Sequence, residues 1–179
     1  MVAASLGSTT NLTVKGASAG TFIEGKSKLT RQTHAEGFEN TSVSTSFEAI
    51  ITLKVLESFN NKAVLGRAIL QRLLISTDST KEVVFLLAKN ATLGVTNYTF
   101  HTETDSIIIY DTTAHPVSGT LDIIYRGQIG SGGAGEFDLI GLGIDFYANE
   151  TITVFAEVVS GSASNVTASI VWKEDIWLK

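Results

Sequence analysis

The sequence predicts an all-β fold: an antiparallel β-sandwich of jelly-roll-like design, preceded by an extended N-terminal arm. Three observations predict it. Apolar side chains alternate with polar ones at period 2 in several segments of strand length. Thr, Val, Ile and Ser are frequent and there is a single proline, Pro116, a bias toward strands and turns. Turn signals recur at short intervals from residue 42 onward and divide the chain into about eight strands.

Taken in order, residues 1–41 are assigned to the arm and residues 42–179 to the sandwich. The arm is small and polar, as in Gly7-Ser8-Thr9-Thr10 and Gly16-Ala17-Ser18-Ala19-Gly20, with Phe22 and Ile23 as its apolar pair. In the sandwich, Phe47, Ala49, Ile51, Leu53 and Val55 fall on one side, opposite Glu48, Thr52 and Lys54. Residues 63–75 fit a helical face through Val64, Leu65, Ala68, Ile69 and Leu73. Gly66 and the β-favouring run Leu74-Ile75-Ser76-Thr77 argue for strand instead, and strand is the assignment. Further strands are read in Ile140, Leu142, Ile144 and Phe146, in Ile152, Val154, Ala156 and Val158, and in Val166, Ala168, Ile170 and Trp172. Turns are expected at Asn60-Asn61, Asp78-Ser79, Gly94, Gly119, residues 130–135, Asn149-Glu150 and residues 161–164.

Two segments are apolar at every position: Val83-Val84-Phe85-Leu86-Leu87 and Ile107-Ile108-Ile109-Tyr110. A sandwich strand turns only one face to the core, so the other needs an arm, a loop or another subunit. Val83, Phe85, Leu87, Ile107, Ile109, Phe22, Ile23 and Trp177 are therefore expected at an oligomer interface.

Composition excludes several classes. The net charge is −5 and the basic residues are scattered, so no electrostatic footprint for nucleic acid is present. The longest apolar blocks are strand-sized, far short of the ~20 residues of a membrane-spanning helix. Residues 1–13 lack the pattern of a signal peptide. Cysteine is absent, which removes disulfide and thiolate-metal frameworks.

No motif carries chemistry convincingly. Gly130-Ser131-Gly132-Gly133-Ala134-Gly135 matches G-x-G-x-x-G, but a strand-like segment follows where a phosphate site needs a helix N-terminus. His101, Glu103 and Asp105 would share one strand face, the arrangement of a metal row and equally of a solvated edge. Asp111 and His115 flank a turn closed by Pro116, with no nucleophile elbow nearby, and Asp111-Thr112-Thr113 reads as an Asx turn. His34 lies in the arm with no partner to assign. Asp122, Glu136, Asp138, Asp145, Glu150 and Glu157 offer carboxylates, but nothing selects a pair. Six of the eight asparagines begin an N-x-Ser/Thr triplet, namely Asn11, Asn40, Asn90, Asn97, Asn149 and Asn165, and their meaning stays open. Trp172 continues an apolar strand face. Catalytic residues, cofactors and metals are accordingly assigned as none, and the chain is not expected to be an enzyme.

The order of phrases also carries a resemblance. These are Leu74-Ile75-Ser76-Thr77-Asp78-Ser79-Thr80-Lys81, Lys89-Asn90-Ala91-Thr92-Leu93-Gly94, Tyr110-Asp111-Thr112-Thr113-Ala114, Val117-Ser118-Gly119-Thr120, and residues 165–175. Over residues 47–175 the chain resembles small β-rich virion proteins encoded among the structural genes of tailed bacteriophages. The resemblance implies a particle component, a capsid decoration (cement) protein or a head or tail appendage, and transfers no functional residues. The expected partners are copies of the chain itself, for instance as a trimer, and the major capsid or other virion proteins. The competing expectation is a tail-fibre or appendage module that binds receptor or host-surface glycan, with Trp177, Tyr98 and Tyr147 as candidate contacts.

Overall fold

A computed structural model of the chain describes residues 31–101, 106–113 and 115–176. In chain order the strands are β1 Arg31–Val43, β2 Glu48–Val55, β3 Ser58–Phe59, β4 Lys62–Ala63, β5 Arg67–Thr77, β6 Val83–Lys89 and β7 Thr99–Phe100. They continue as β8 Ile108–Asp111, β9 Asp122–Ile129, β10 Ala134–Asp138, β11 Asp145–Tyr147, β12 Thr151–Val158 and β13 Ser164–Asp175. The described residues contain no α-helix, only a 3-10 turn at Ile140–Leu142.

The first sheet runs β1-β13-β5-β10, with β11 also on β5; the second runs β7-β8-β2-β12-β6-β9. Every pairing is antiparallel. The two sheets face one another across one core, so the chain is an all-β antiparallel sandwich. Leu70, Leu73, Ile75, Ala168, Ile170 and Trp172 from the first sheet join Ile51, Leu53, Phe85, Leu87, Ile152 and Val154 from the second. The small β3–β4 hairpin turns on Asn60 and Asn61, both at positive φ, the backbone that a two-residue type I′ turn requires.

Local irregularities explain where the sequence pattern misleads. In β5 the buried positions step by three from Leu70 to Leu73, which imitates a helix. The cause is a β-bulge: Arg72 faces Val171 while Leu70 faces Trp172, leaving Gln71 as the extra residue. A Cβ on Gly66, just before β5, would lie 2.3 Å from the Asp175 carbonyl oxygen, so the chain passes there only as glycine. A second bulge in β2 splits the row expected from Phe47 to Val55. Val154 faces Ile51 but Phe155 faces Ala49, so Ile50 is the extra residue. Ile51, Leu53 and Val55 enter the main core, whereas Phe47 and Ala49 turn to the opposite face of the sheet.

Three expectations are corrected. Residues 31–41, assigned to the arm, belong to β1, which pairs with β13 from Arg31 onward; Phe22 and Ile23 lie outside the described residues, as does Trp177. Ile140 and Leu142 do not sit on a strand: both are exposed in the 3-10 turn, which Gly143 ends at positive φ. The apolar run of β6 needs no second subunit. Val83, Phe85, Leu87 and Ile107 are fully buried in the main core of the single chain, and Ile109 is half-buried. Leu86 and Ala88, on the other face of β6, form a second cluster with Phe155 and Ala49. Phe47, Ala91, Leu93, Val117 and Leu121, from the loops beside this sheet, cover that cluster. A central strand covered on both faces by its own chain reads as a continuous apolar run.

Candidate functional site

A cluster of hydrogen-bonding and aromatic groups lies under β1, around Glu174. Strand alternation on β13 turns Glu174 inward beside Trp172, and its side chain is completely buried. Burying a carboxyl group is costly unless hydrogen bonds replace water. Here Ser106 Oγ donates at 2.6 Å, Trp172 Nε1 at 2.8 Å and the Ile107 backbone N–H at 2.9 Å. His34 Nε2, on β1, lies 3.8 Å from the same carboxyl. The His34 ring stacks on Trp172 with centroids 5.8 Å apart, and His101 meets Trp172 edge-on at 5.0 Å. His101 Nδ1 in turn lies 3.0 Å from Glu36 Oε2 of β1. The cluster therefore clasps β1 to β13 and to the segments around β7 and β8.

Serine, histidine and a carboxyl group are the ingredients of acyl transfer, but this arrangement does not suit it. Ser106 Oγ donates to Glu174, accepts from the Ile108 N–H at 3.0 Å, and is wholly buried. A nucleophile must instead be hydrogen-bonded to its base and open to substrate. The geometry is that of a structural clasp. Sequence reasoning missed it, because its members are spread over 140 residues from His34 to Glu174 and none sits in a local motif.

Asp111 Oδ1 accepts from the Thr113 N–H at 2.7 Å and Oδ2 from the Asn97 N–H at 2.9 Å, with His115 Nε2 3.5 Å away. Burial pushes this carboxyl up, but the hydrogen bonds from Thr113 and Asn97 and the nearby His115 outweigh it and hold it below its ordinary value. It organises a turn. Beside it, burial raises the Tyr98 phenol above its ordinary value, and the Asp111 charge adds to the effect; Lys54 Nζ stands 5.5 Å from that ring. His101 is joined to Glu36, and Glu103 and Asp105 lie outside the described residues. Among the described residues, no group of three or more His, Asp or Glu is placed to hold a metal ion.

Several carboxylates are engaged locally: Glu136 with Arg72, Asp145 with Arg67 and Glu150 with Lys89, each at 2.9 Å. Asp138 accepts from the Ile140 N–H. Tyr147 donates its hydroxyl to Asp145 on β11. The glycine-rich loop joins β9 in one sheet to β10 in the other, closed by the Gly133 N–H on the Gly130 carbonyl. Asn90 and Asn149, two of the triplet asparagines, hold positive-φ turn positions, and Asn40 is buried.

What remains is surface. The outer face of the first sheet carries Ala35, Gly37, Val171, Ser169, Leu74 and Ala134, and a groove of about 360 Å³ lies along Leu74, Ser76, Gly135, Thr167 and Ser169. A second groove of about 340 Å³ lies between the β5–β6 and β12–β13 connections, lined by polar groups including Asp78, Ser79, Lys81, Ser162 and Asn165. No described helix is long and apolar enough to cross a membrane. No protein-family model matches the chain, and no curated protein is significantly similar to it.

Proposed function

We propose that this chain is a structural protein of a virus particle, a capsid decoration or cement protein that associates with its own copies on the particle surface. The single observation that carries this reading is the strand connectivity. With β3, β4, β7, β8 and β11 set aside, the sheets are β1-β13-β5-β10 and β2-β12-β6-β9. Successive strands of these eight alternate between sheets at every step except β6 to β9, which are neighbours. We read this as a jelly roll, an architecture used repeatedly by viral capsid domains. It agrees with the sequence resemblance to small virion proteins of tailed bacteriophages. Fold carries function only by analogy, so the reading stands or falls on assembly. The segment before β1, with Phe22 and Ile23, is the candidate anchor to capsid neighbours.

Native mass spectrometry and co-sedimentation with particles of the encoding virus test it. The expected result is a homo-oligomer at micromolar concentration that travels with the particle. A stable monomer absent from purified particles overturns it.

A tail-fibre or appendage module binding host glycan is the second reading. Jelly rolls also serve as lectins, and the polar groove at Asp78 and Asn165 offers hydroxyl, amide and carboxyl groups. Among the described residues its lining has no aromatic platform, and Tyr98 and Tyr147 are not part of it. A glycan array without binding disposes of this alternative.

A further inference from the structure

We infer that residues 91–98 form an acid-released strap: protonation of Asp111 frees them from the second sheet and opens its outer apolar cluster, while both sheets stay paired. The inference is independent of the assembly reading above.

The strap lies between β6 and β7, and its Ala91 and Leu93 pack on Ala49, Leu86, Ala88 and Phe155. Among the described residues, none of 91–98 makes a backbone-to-backbone hydrogen bond, and Val95 is 89% exposed. Two side chains hold it instead. Asp111 Oδ2 accepts from the Asn97 N–H at 2.9 Å, and Ser118 Oγ donates to the Thr92 carbonyl at 2.8 Å. The other covering loop, between β8 and β9, is fixed by backbone bonds that acid does not touch. Its His115 carbonyl accepts from the Ala49 N–H at 2.8 Å, and its Val117 N–H donates to the Phe47 carbonyl at 3.1 Å. The strap is thus the cover that depends on a titratable anchor.

Three described groups that titrate or carry charge face this anchor. They are His115, with Nε2 3.5 Å from Asp111 Oδ2, the Tyr98 phenol at the end of the strap, and Lys54 of β2, whose Nζ stands 5.5 Å from the Tyr98 ring. Neither a phenol nor an ammonium titrates in the acid range. His115 is buried, and a Cβ on Gly94 would lie 3.2 Å from its Nδ1, so the imidazole rests against the strap. While charged, Asp111 binds the strap strongly and offsets a positive imidazole. Once protonated, it is a weaker acceptor and leaves a buried cation against the strap without its counter-charge. Burial pushes the Asp111 carboxyl up, but the hydrogen bonds from Thr113 and Asn97 and the nearby His115 outweigh it. The strap is therefore closed above the ordinary aspartate range, near pH ~3.9, and is released as pH falls through the lower folded value.

The unaltered chain supplies the first test. Anilinonaphthalene sulfonate, a dye that brightens on exposed apolar surface, is expected to bind as pH falls below ~3.9 while near-UV circular dichroism stays native. Loss of the near-UV signal together with dye binding is general loosening of the core and overturns the inference, as does the absence of binding down to the pH of global unfolding. The lack of cysteine allows a second test, in Ala88→Cys, whose thiol is buried in the outer cluster at the end of β6. Dithiodipyridine, which reacts with thiols in acid, reads its protection relative to the urea-unfolded chain at the same pH. Adding Asp111→Asn is expected to speed labelling at pH 7 by roughly ten- to a hundredfold and to remove its pH dependence. Adding Ser118→Ala, the uncharged anchor, should speed labelling at every pH and leave the acid response in place. An Asp111→Asn chain as protected as its parent at pH 7, or an acid response that vanishes with Ser118→Ala, overturns the role of Asp111.

Discussion

Ser106 Oγ donates a 2.6 Å hydrogen bond to Oε1 of Glu174, a contact between residues 68 positions apart, both fully buried. Glu174 collects two further donors, from Trp172 and Ile107, so its removal strands three buried groups at once. Glu174→Ala is expected to cost about 3 kcal/mol or more, the range for breaking a buried polar assembly by deleting one member. Glu174→Gln keeps one acceptor oxygen but turns an NH2 toward one of the donors, and should cost about 1–3 kcal/mol. Urea denaturation of the two variants beside wild type gives both numbers.

Gly127 of β9 gives the Phe85 ring its place. A Cβ there would lie 2.3 Å from Phe85 Cζ, and the same ring packs on Phe137 with centroids 4.7 Å apart. Gly127→Ala is therefore expected to destabilise by about 1–3 kcal/mol through overpacking. Phe85→Leu in the same chain should recover part of that loss, because the two substitutions share one space and do not add. A double-mutant cycle by thermal or urea unfolding checks the sign of the coupling.

The sequence made the sandwich legible where a strand has one wet and one dry face. Ile152, Val154, Ala156 and Val158 all turn out buried, as do Val166, Ala168, Ile170 and Trp172. It misled wherever period 2 was broken or imitated. The bulges at Ile50 and Gln71 shift the inward row by one residue, a change set by cross-strand pairing and invisible in the local alternation. The alternation Ile140, Leu142, Ile144, Phe146 comes partly from a 3-10 turn in which glycine, not strand geometry, spaces the apolar residues. The two-sided apolar run of β6 reads as a demand for a partner, because sequence cannot show that Leu93, Val117 and Leu121 fold back over it. The Glu174 cluster was illegible for a related reason: its members meet only through the sheet topology.

Asp111 should couple stability to acid. Although burial opposes the charged form, hydrogen bonds from Thr113 and Asn97 and the nearby His115 set the folded value below the unfolded one. Its contribution is therefore complete above the unfolded aspartate range, near pH ~3.9, and is lost as pH falls through the lower folded value. Asp111→Asn should cost about 1–3 kcal/mol near neutral pH, with the gap to wild type closing below the unfolded range. Unfolding curves of both proteins between pH 7 and pH 2.5 test the direction, and a gap that widens in acid refutes it.

The outer cluster of the second sheet separates self-covering from covering by a neighbour. Phe155 is fully buried on the face of β12 away from the main core, against Leu86, Ala88 and Ala49. Because loops of the same chain cover it, Phe155→Ala should leave a cavity inside each subunit and cost about 3–5 kcal/mol. A cost of that kind is independent of protein concentration. If the face were instead sealed by another subunit, the loss would appear as weakened association, and the midpoint would rise with concentration by mass action. Unfolding of Phe155→Ala and wild type across a hundredfold range of concentration distinguishes the two. The expected result is that the difference between the variants stays constant, even if both midpoints move together through contacts made elsewhere on the subunit.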